Sequence, residues 1–185
     1  MGDRPVFELD HKTPLQAANL PVINQLAKEG QCGTADPVKP GIVASTVSGT
    51  LAILGYDPLE KTVARGVVEA LGCGMKINIG DVAFRGNWAT LDKKGLIVDR
   101  RAGRIREGIN ELALSITGQK IDNVRIDVAA GTEHRIAVVI RGPGLQDCVS
   151  GSDPGDHFHS GINPRPIKPL NKNNPKCLRT ADLLN

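Results

Sequence analysis

The chain has 185 residues, 40% of them hydrophobic, and a formal net charge of +3. That length suits one ordinary domain, or one plus a small insert, and so mild a charge argues against a dedicated nucleic-acid binder, which would concentrate a basic face. Aromatic residues make up only 3%, so the core must be aliphatic, and no apolar run approaches the ~20 residues of a membrane span.

Residues 1–14 read as a loop. The apolar spacing over 15–28 is helical but broken by Pro21, which predicts a short turn and then a helix with Pro at its first position. Cys32 to Asp36 is a candidate short strand. Ser45-Thr46-Val47-Ser48-Gly49 carries three hydroxyls just ahead of an apolar helix over 46–54. The first N–H groups of a helix lack partners and favour an anion, so an oxygen nucleophile or a phosphate fits there; a plain helix cap fits the same residues. Residues 58–71 read as a second helix, with Arg65 and Glu69 one turn apart and able to pair.

The character changes after Gly72-Cys73-Gly74. Residues 81–91 read as a strand, Asp92-Lys93-Lys94-Gly95 as a hairpin turn, and 96–100 as the partner strand. An amphipathic helix over 105–117 follows. Two more strands, 124–129 and 135–141, flank the turn Gly131-Thr132-Glu133. This β-β-α-β-β order predicts a compact small α/β domain. Residues 142–175 are rich in Gly, Pro, Asp and Asn, hence loop, and the last ten residues read as a helix. The four cysteines (Cys32, Cys73, Cys148, Cys177) are widely spaced with no CxxC pair, which argues against a zinc knuckle. With no secretory signal in view, they are expected to be reduced thiols of a cytoplasmic protein.

Four stretches could carry chemistry. Asp99, Arg100, Arg101 and Arg104 leave a strand and enter a helix; guanidinium forks match carboxylate and phosphate oxygens in pairs. Gly131-Thr132-Glu133-His134-Arg135 caps a hairpin, where Glu133 is either a general base or an orienting group for its neighbours. Phe84-Arg85-Gly86-Asn87-Trp88 places Arg85 and Asn87 on one strand face. Each has a bland alternative as a solvated charged turn, but three arginine-bearing segments in one small domain point to a convergent pocket for a phosphate plus a carboxylate. The fourth stretch, Ser152-Asp153-Pro154-Gly155-Asp156-His157-Phe158-His159, has Asp and His at spacings that could ligate a metal or simply form a polar loop.

Several segments, in order along the chain, carry a resemblance. They are Gly2-Asp3-Arg4-Pro5, Lys12-Thr13-Pro14-Leu15-Gln16-Ala17-Ala18, residues 51–58, Arg65-Gly66 with Glu69-Ala70-Leu71-Gly72, and Gly80-Asp81-Val82-Ala83-Phe84-Arg85 with Asn87 and Ala89-Thr90. Residues 98–105, Gly131-Thr132-Glu133-His134-Arg135, Arg141-Gly142 with Gly144-Leu145, and Ser152-Asp153-Pro154 complete the set. Together they resemble the archaeal-type, 2,3-bisphosphoglycerate-independent phosphoglycerate mutase family of the alkaline phosphatase superfamily.

The resemblance implies an α/β fold: a partial alkaline-phosphatase-like core in residues 1–76, an inserted substrate-binding domain in 77–150, and a loop with the start of a return helix in 151–185. It implies interconversion of 3-phosphoglycerate and 2-phosphoglycerate in glycolysis and gluconeogenesis, through a phosphoenzyme, with two divalent metal ions (Mn, Mg or Zn) and no 2,3-bisphosphoglycerate. Carried over residue by residue, the substrate contacts are Arg85, Asp99, Arg100, Arg104, His134 and Arg135, and the nucleophile position is Thr46. The chain departs from the family pattern at Val47, where an Asp is expected, and starts just after the family's first Asp-Gly metal ligand. The later Asp and His ligands also fall outside it. The expectation is therefore an incomplete metal site and a chain inactive alone, completed by a complementary chain or an oligomer, with residues 77–150 its better-ordered part. A non-catalytic module binding phosphorylated acids, or a related phosphotransferase or phosphatase, are the alternatives. Neither nucleic acid nor membrane is an expected partner.

Overall fold

Local chemistry explains most of the helices. Thr13 caps the short helix α1 (Pro14–Ala17), with Gln16 completing a capping box. Pro21 opens α2 (Pro21–Glu29), where its missing N–H does no harm. Ser45 caps α3 (Thr46–Ile53) through a reciprocal capping box with Ser48, so the hydroxyl pair expected ahead of this helix serves its N-terminus. The computed structural model describes residues 4–60, 63–155 and 160–185, and divides into two compact units, 1–55 and 56–185.

Among the described residues of the first unit, only Gly49 is buried. Large apolar side chains of α2 and α3, such as Val22 at 67% and Ile53 at 81%, are exposed. Residues 32–36 form no strand, contrary to expectation. An isolated strand of that length has no neighbour to satisfy its backbone groups.

The second unit is mixed α/β. Its helix α4 (Arg65–Gly72) is shorter than the expected 58–71, because the Asp57 carboxylate takes the Leu59 and Glu60 N–H groups into a turn. The strands are β1 (Val82–Asn87), β2 (Thr90–Leu91), β3 (Ile97–Asp99), β4 (Gln119–Ile121), β5 (Val124–Ala130) and β6 (Arg135–Arg141). The main sheet is antiparallel in the order β1-β6-β5-β4, with Arg85 opposite Ala137 and Val128 opposite Val138. The strand expected over 81–91 is broken into β1 and β2, and only β2 pairs with β3 across the expected 92–95 turn, which is held by the Asp92 carboxylate accepting from Lys94 and Leu96 N–H groups. This hairpin is not part of the main sheet. The β1 ladder ends when the Trp88 N–H donates to the His134 carbonyl, and β2 and β3 leave as a separate two-stranded ribbon. The fourth sheet strand is instead β4, which the sequence did not signal. Helix α5 (Ile109–Ile116) starts later than expected because Gly108, at φ 73°, turns the chain immediately before it. The final helix, α6 (Pro175–Leu184), is as expected and capped by Asn174.

The core lies on both sheet faces. Ala83, Ala137 and Val139 meet Ala70 and Val67 of α4 on one side. Val82, Val124 and Ile140 meet Leu145 and Leu183 of α6 on the other. The α4 contact is close: a Cβ at Gly66 would lie 2.0 Å from the Ala83 carbonyl oxygen.

Two sequence expectations are corrected here. Cys148 and Cys177 form a disulfide rather than two free thiols, since the chain brings their Cα atoms within 5.3 Å although 29 residues separate them; Cys32 and Cys73 are free. The bond ties the segment after Leu145 to α6, beside backbone pairing of 148–150 with 168–170. Second, Glu69 pairs with Arg85 of β1 at 3.5 Å rather than with Arg65 one turn away. A partly buried tertiary partner outcompetes an exposed pair worth a few tenths of a kcal/mol.

Beside the sheet, Asp127 accepts from Arg125 and Arg141 at 2.8 Å each, and Arg141 also reaches Asp81 and the Lys76 carbonyl. Burial pushes the Asp127 carboxyl up, but the two arginines outweigh it and hold it below the ordinary value. The stabilisation is therefore present above the unfolded-state value of about 3.9 and lost as pH falls through the lower folded-state value. Urea midpoints measured from pH 6 downwards are expected to fall in this acid range. Asp127→Asn should lower the midpoint at pH 6 and flatten that limb; an unchanged acid limb would count against the network.

Candidate anion-binding site

A cavity of about 780 Å³ opens within the second unit where the ends of β1, β3 and β6 meet α4 and the 147–153 segment. Six arginines line it: Arg65, Arg85, Arg100, Arg101, Arg104 and Arg135. The carboxylates on its wall are Glu133, Asp147 and Asp153. Two of these are engaged with arginines: Glu133 with Arg106 at 2.7 Å and Asp153 with Arg100 at 3.1 Å. The cavity thus has more cations than anions on its wall, and like charges held this close favour an incoming anion.

The six arginines come from four places in the fold: α4, β1, the turn after β3, and β6. Arg85 projects from β1 with Asn87 two residues on, so both reach the cavity from one strand face, as the alternation predicts. Burial, first, and then repulsion from Arg135 and Arg65 lower the Arg85 pKa, while Glu69 and Asp153 oppose. Arg100, Arg101 and Arg104 come from the turn after β3. There Ala102, Gly103 and Arg104 all have positive φ, at 44°, 63° and 56°. The Asp99 carboxylate holds this left-handed turn, one oxygen accepting from the Arg101 N–H at 2.8 Å and the other from the Gly103 N–H at 2.6 Å. Those two hydrogen bonds are the main reason its carboxyl sits below the ordinary value. Asp99 is absent from the cavity wall; its carboxylate holds the turn that presents the arginines.

His134 and Arg135 follow Glu133, itself left-handed at φ 57°. His134 is 7% exposed, and its Nδ1 is buried with no hydrogen-bond partner. Burial, then the charges of Arg135 and Arg101, lower its pKa, so the imidazole is neutral at pH 7 and suited to a hydroxyl or a phosphate oxygen rather than to ion pairing. The fold therefore gathers Arg85, Arg100, Arg104, His134 and Arg135 in one cavity. Thr46 belongs to the first unit, where it is the exposed first residue of α3.

Sequence reasoning left several cavity residues unassigned, Asp147 among them. Arg65 looked like half of a helix pair, although Arg65-Gly66 also stood among the segments that carry the resemblance. Arg101 sat in the arginine run but was not singled out. Asp153 was considered as a metal ligand or as part of a polar loop, not as a partner of Arg100. The proposed ligands Asp156, His157 and His159 lie outside the described residues. Among the described residues, no group of three His, Cys, Asp or Glu side chains is arranged to hold a metal ion. With Val47 beside Thr46, the described chain does not fit the two-metal centre that the resemblance implied.

The profile of the 2,3-bisphosphoglycerate-independent phosphoglycerate mutase family matches residues 27–185. The chain belongs to that family. Its whole length is 43% identical to the mutase of that name from Methanobrevibacter smithii and 44% identical to that from Saccharolobus solfataricus. It covers 45% and 44% of those proteins, so it spans less than half their length. The solved cofactor-independent phosphoglycerate mutase from Thermoplasma acidophilum superposes with a TM-score of 0.62 at 42% identity, covering all of this chain and 47% of that one. The PH0037 protein from Pyrococcus horikoshii gives 0.60 at 34% identity over 76% of this chain. No helix among the described residues is long and apolar enough to cross a membrane.

Proposed function

We propose that residues 56–185 hold the phosphorylated three-carbon acid of a phosphoglycerate mutase, in the arginine cavity, and that this chain alone binds the acid without turning it over. The convergence of six arginines on one cavity carries the reading. A phosphoglycerate bears a phosphate and a carboxylate, two anionic ends that guanidinium forks can grip at once, with the neutral His134 facing the remaining oxygens. In the whole protein this grip would orient the acid for phosphoryl transfer, with the hydroxyl at Thr46 as the proposed acceptor. Divalent metals would supply the activation of that hydroxyl. The described residues include no group arranged to hold such ions.

Calorimetry of the 185-residue chain with 3-phosphoglycerate tests the grip. Binding is expected, and Arg100→Ala combined with Arg104→Ala should weaken it by on the order of 100-fold, two charge-assisted contacts at about 1.5–3 kcal/mol each being partly shared. Equal binding by the double variant would remove the arginine cavity from the reading. Clear conversion of 3- to 2-phosphoglycerate by the chain with Mn²⁺ or Mg²⁺ would overturn the claim that it only binds.

A further inference from the structure

Asp153 stands out inside a cavity otherwise built for anions. Its two oxygens accept from Arg100 Nη1 at 3.1 Å each, one of them from Asn87 Nδ2 at 3.1 Å, and the other from the Gly155 N–H at 2.8 Å. It lies 53 residues from Arg100 and 66 from Asn87, so these contacts fasten the 151–155 segment to the ends of β1 and β3. The Arg100 side chain is only 17% exposed, while that of Asp153 is 43% exposed. A second, smaller cavity of about 270 Å³ lies alongside the first, and both are walled by Arg85, Asn87, Arg100, Gly151 and Asp153.

We propose that Asp153 is a positioning residue: by holding the half-buried Arg100 guanidinium between the two cavities, it sets that arginine in place before the anion arrives. This deepens the reading of the cavity as a phosphorylated-acid site and rests on it. An arginine stem has many rotamers, and fixing it at the moment of binding subtracts from affinity. Asp153 does that fixing in advance, through a carboxylate whose oxygens are shared among Arg100, Asn87 and Gly155 and so are less open to repelling the ligand. The opposite role is also physically coherent. A carboxylate in an anion site can simply compete with the ligand, and its removal would then tighten binding.

A double-mutant cycle on the 185-residue chain separates the two, with inorganic phosphate and 3-phosphoglycerate as the probes in calorimetry. Asp153→Asn is expected to weaken both about tenfold. Arg100→Ala should weaken them at least as much, and the double variant should match Arg100→Ala within about twofold, because Asp153 acts through Arg100. Tighter or unchanged binding by Asp153→Asn overturns the proposal, as do losses that multiply in the double variant. A readout on the unaltered chain stands apart from ligand and variant. Rotation about the Arg100 Nε–Cζ bond, followed by NMR, should be slow in the wild type. Free rotation there overturns the positioning role whatever binds. If Arg100 is held but neither phosphate nor 3-phosphoglycerate binds, the substrate reading falls and the clamp on Arg100 stands.

Discussion

Gly66→Ala is expected to destabilise residues 56–185 by about 3 kcal/mol, at the upper end of ordinary overpacking. The added Cβ would sit 2.0 Å from the Ala83 carbonyl oxygen, 2.4 Å from its carbon and 2.6 Å from the Phe84 nitrogen. All three are backbone atoms of β1, so no side chain can rotate away. Helix α4 would have to lift off the sheet, loosening Val67 and Ala70 from Ala83, Ala137 and Val139. The gain in helix propensity from Gly to Ala, about 1 kcal/mol, offsets only part of this. Gly72 in the same helix is the control, since a Cβ there meets nothing within 4 Å. Gly72→Ala should be neutral or slightly stabilising. Thermal unfolding should show the Gly66 variant lower by on the order of 10 °C, and similar midpoints for the two variants would refute the close-contact account. Because α4 also brings Arg65 to the cavity and Glu69 to Arg85, the Gly66 variant should bind 3-phosphoglycerate more weakly as well.

The second large effect is expected at Asp99. Its two carboxylate oxygens hold the turn that presents Arg100, Arg101 and Arg104. Ala102 and Arg104 are left-handed there, a conformation that costs L-residues about 1–2 kcal/mol each. Asp99→Ala removes the acceptors that offset this strain, and the turn should relax towards ordinary φ. The three arginines then lose their shared aim, and affinity for 3-phosphoglycerate should fall by about 100-fold, or about 2.7 kcal/mol. Asp99→Asn should do nearly as much, because an amide NH₂ cannot accept from the Gly103 N–H. Overall unfolding should move little, since the turn lies at the edge of the unit and its residues are mostly exposed. Calorimetry together with thermal unfolding checks both halves. Affinity retained with an intact fold would mean that the turn is held by something other than Asp99.

The contrast between Asp99 and Arg100 shows how far the sequence could be read. Both stood in one charged run, and the arginine's place in an anion pocket followed from residue type and from two further arginine-bearing segments. That Asp99 would turn its oxygens to its own backbone, and not to the cavity, depended on the path of the chain after β3. Residue type cannot report that path. Asp153 was harder still. Its neighbours suggested a metal loop, while its contacts in the fold are with residues 53 and 66 positions away.

By itself the sequence determined what short-range chemistry controls. The cap at Ser45, Pro21 at a helix start, the Asp92–Gly95 turn and the two strands around the Gly131 turn were legible, because each is settled within a few residues. The same holds for the arginine segments, and the family could be recognised from motifs in their order. Only the tertiary structure decided which of these pieces meet. It detached the 90–99 ribbon from the main sheet and put β4 in its place. It moved Glu69 from Arg65 to Arg85, closed Cys148 onto Cys177, and converged six arginines on one cavity. Those outcomes rest on contacts between residues far apart in the chain, where packing and burial outweigh local preference, so no window of the sequence contains them.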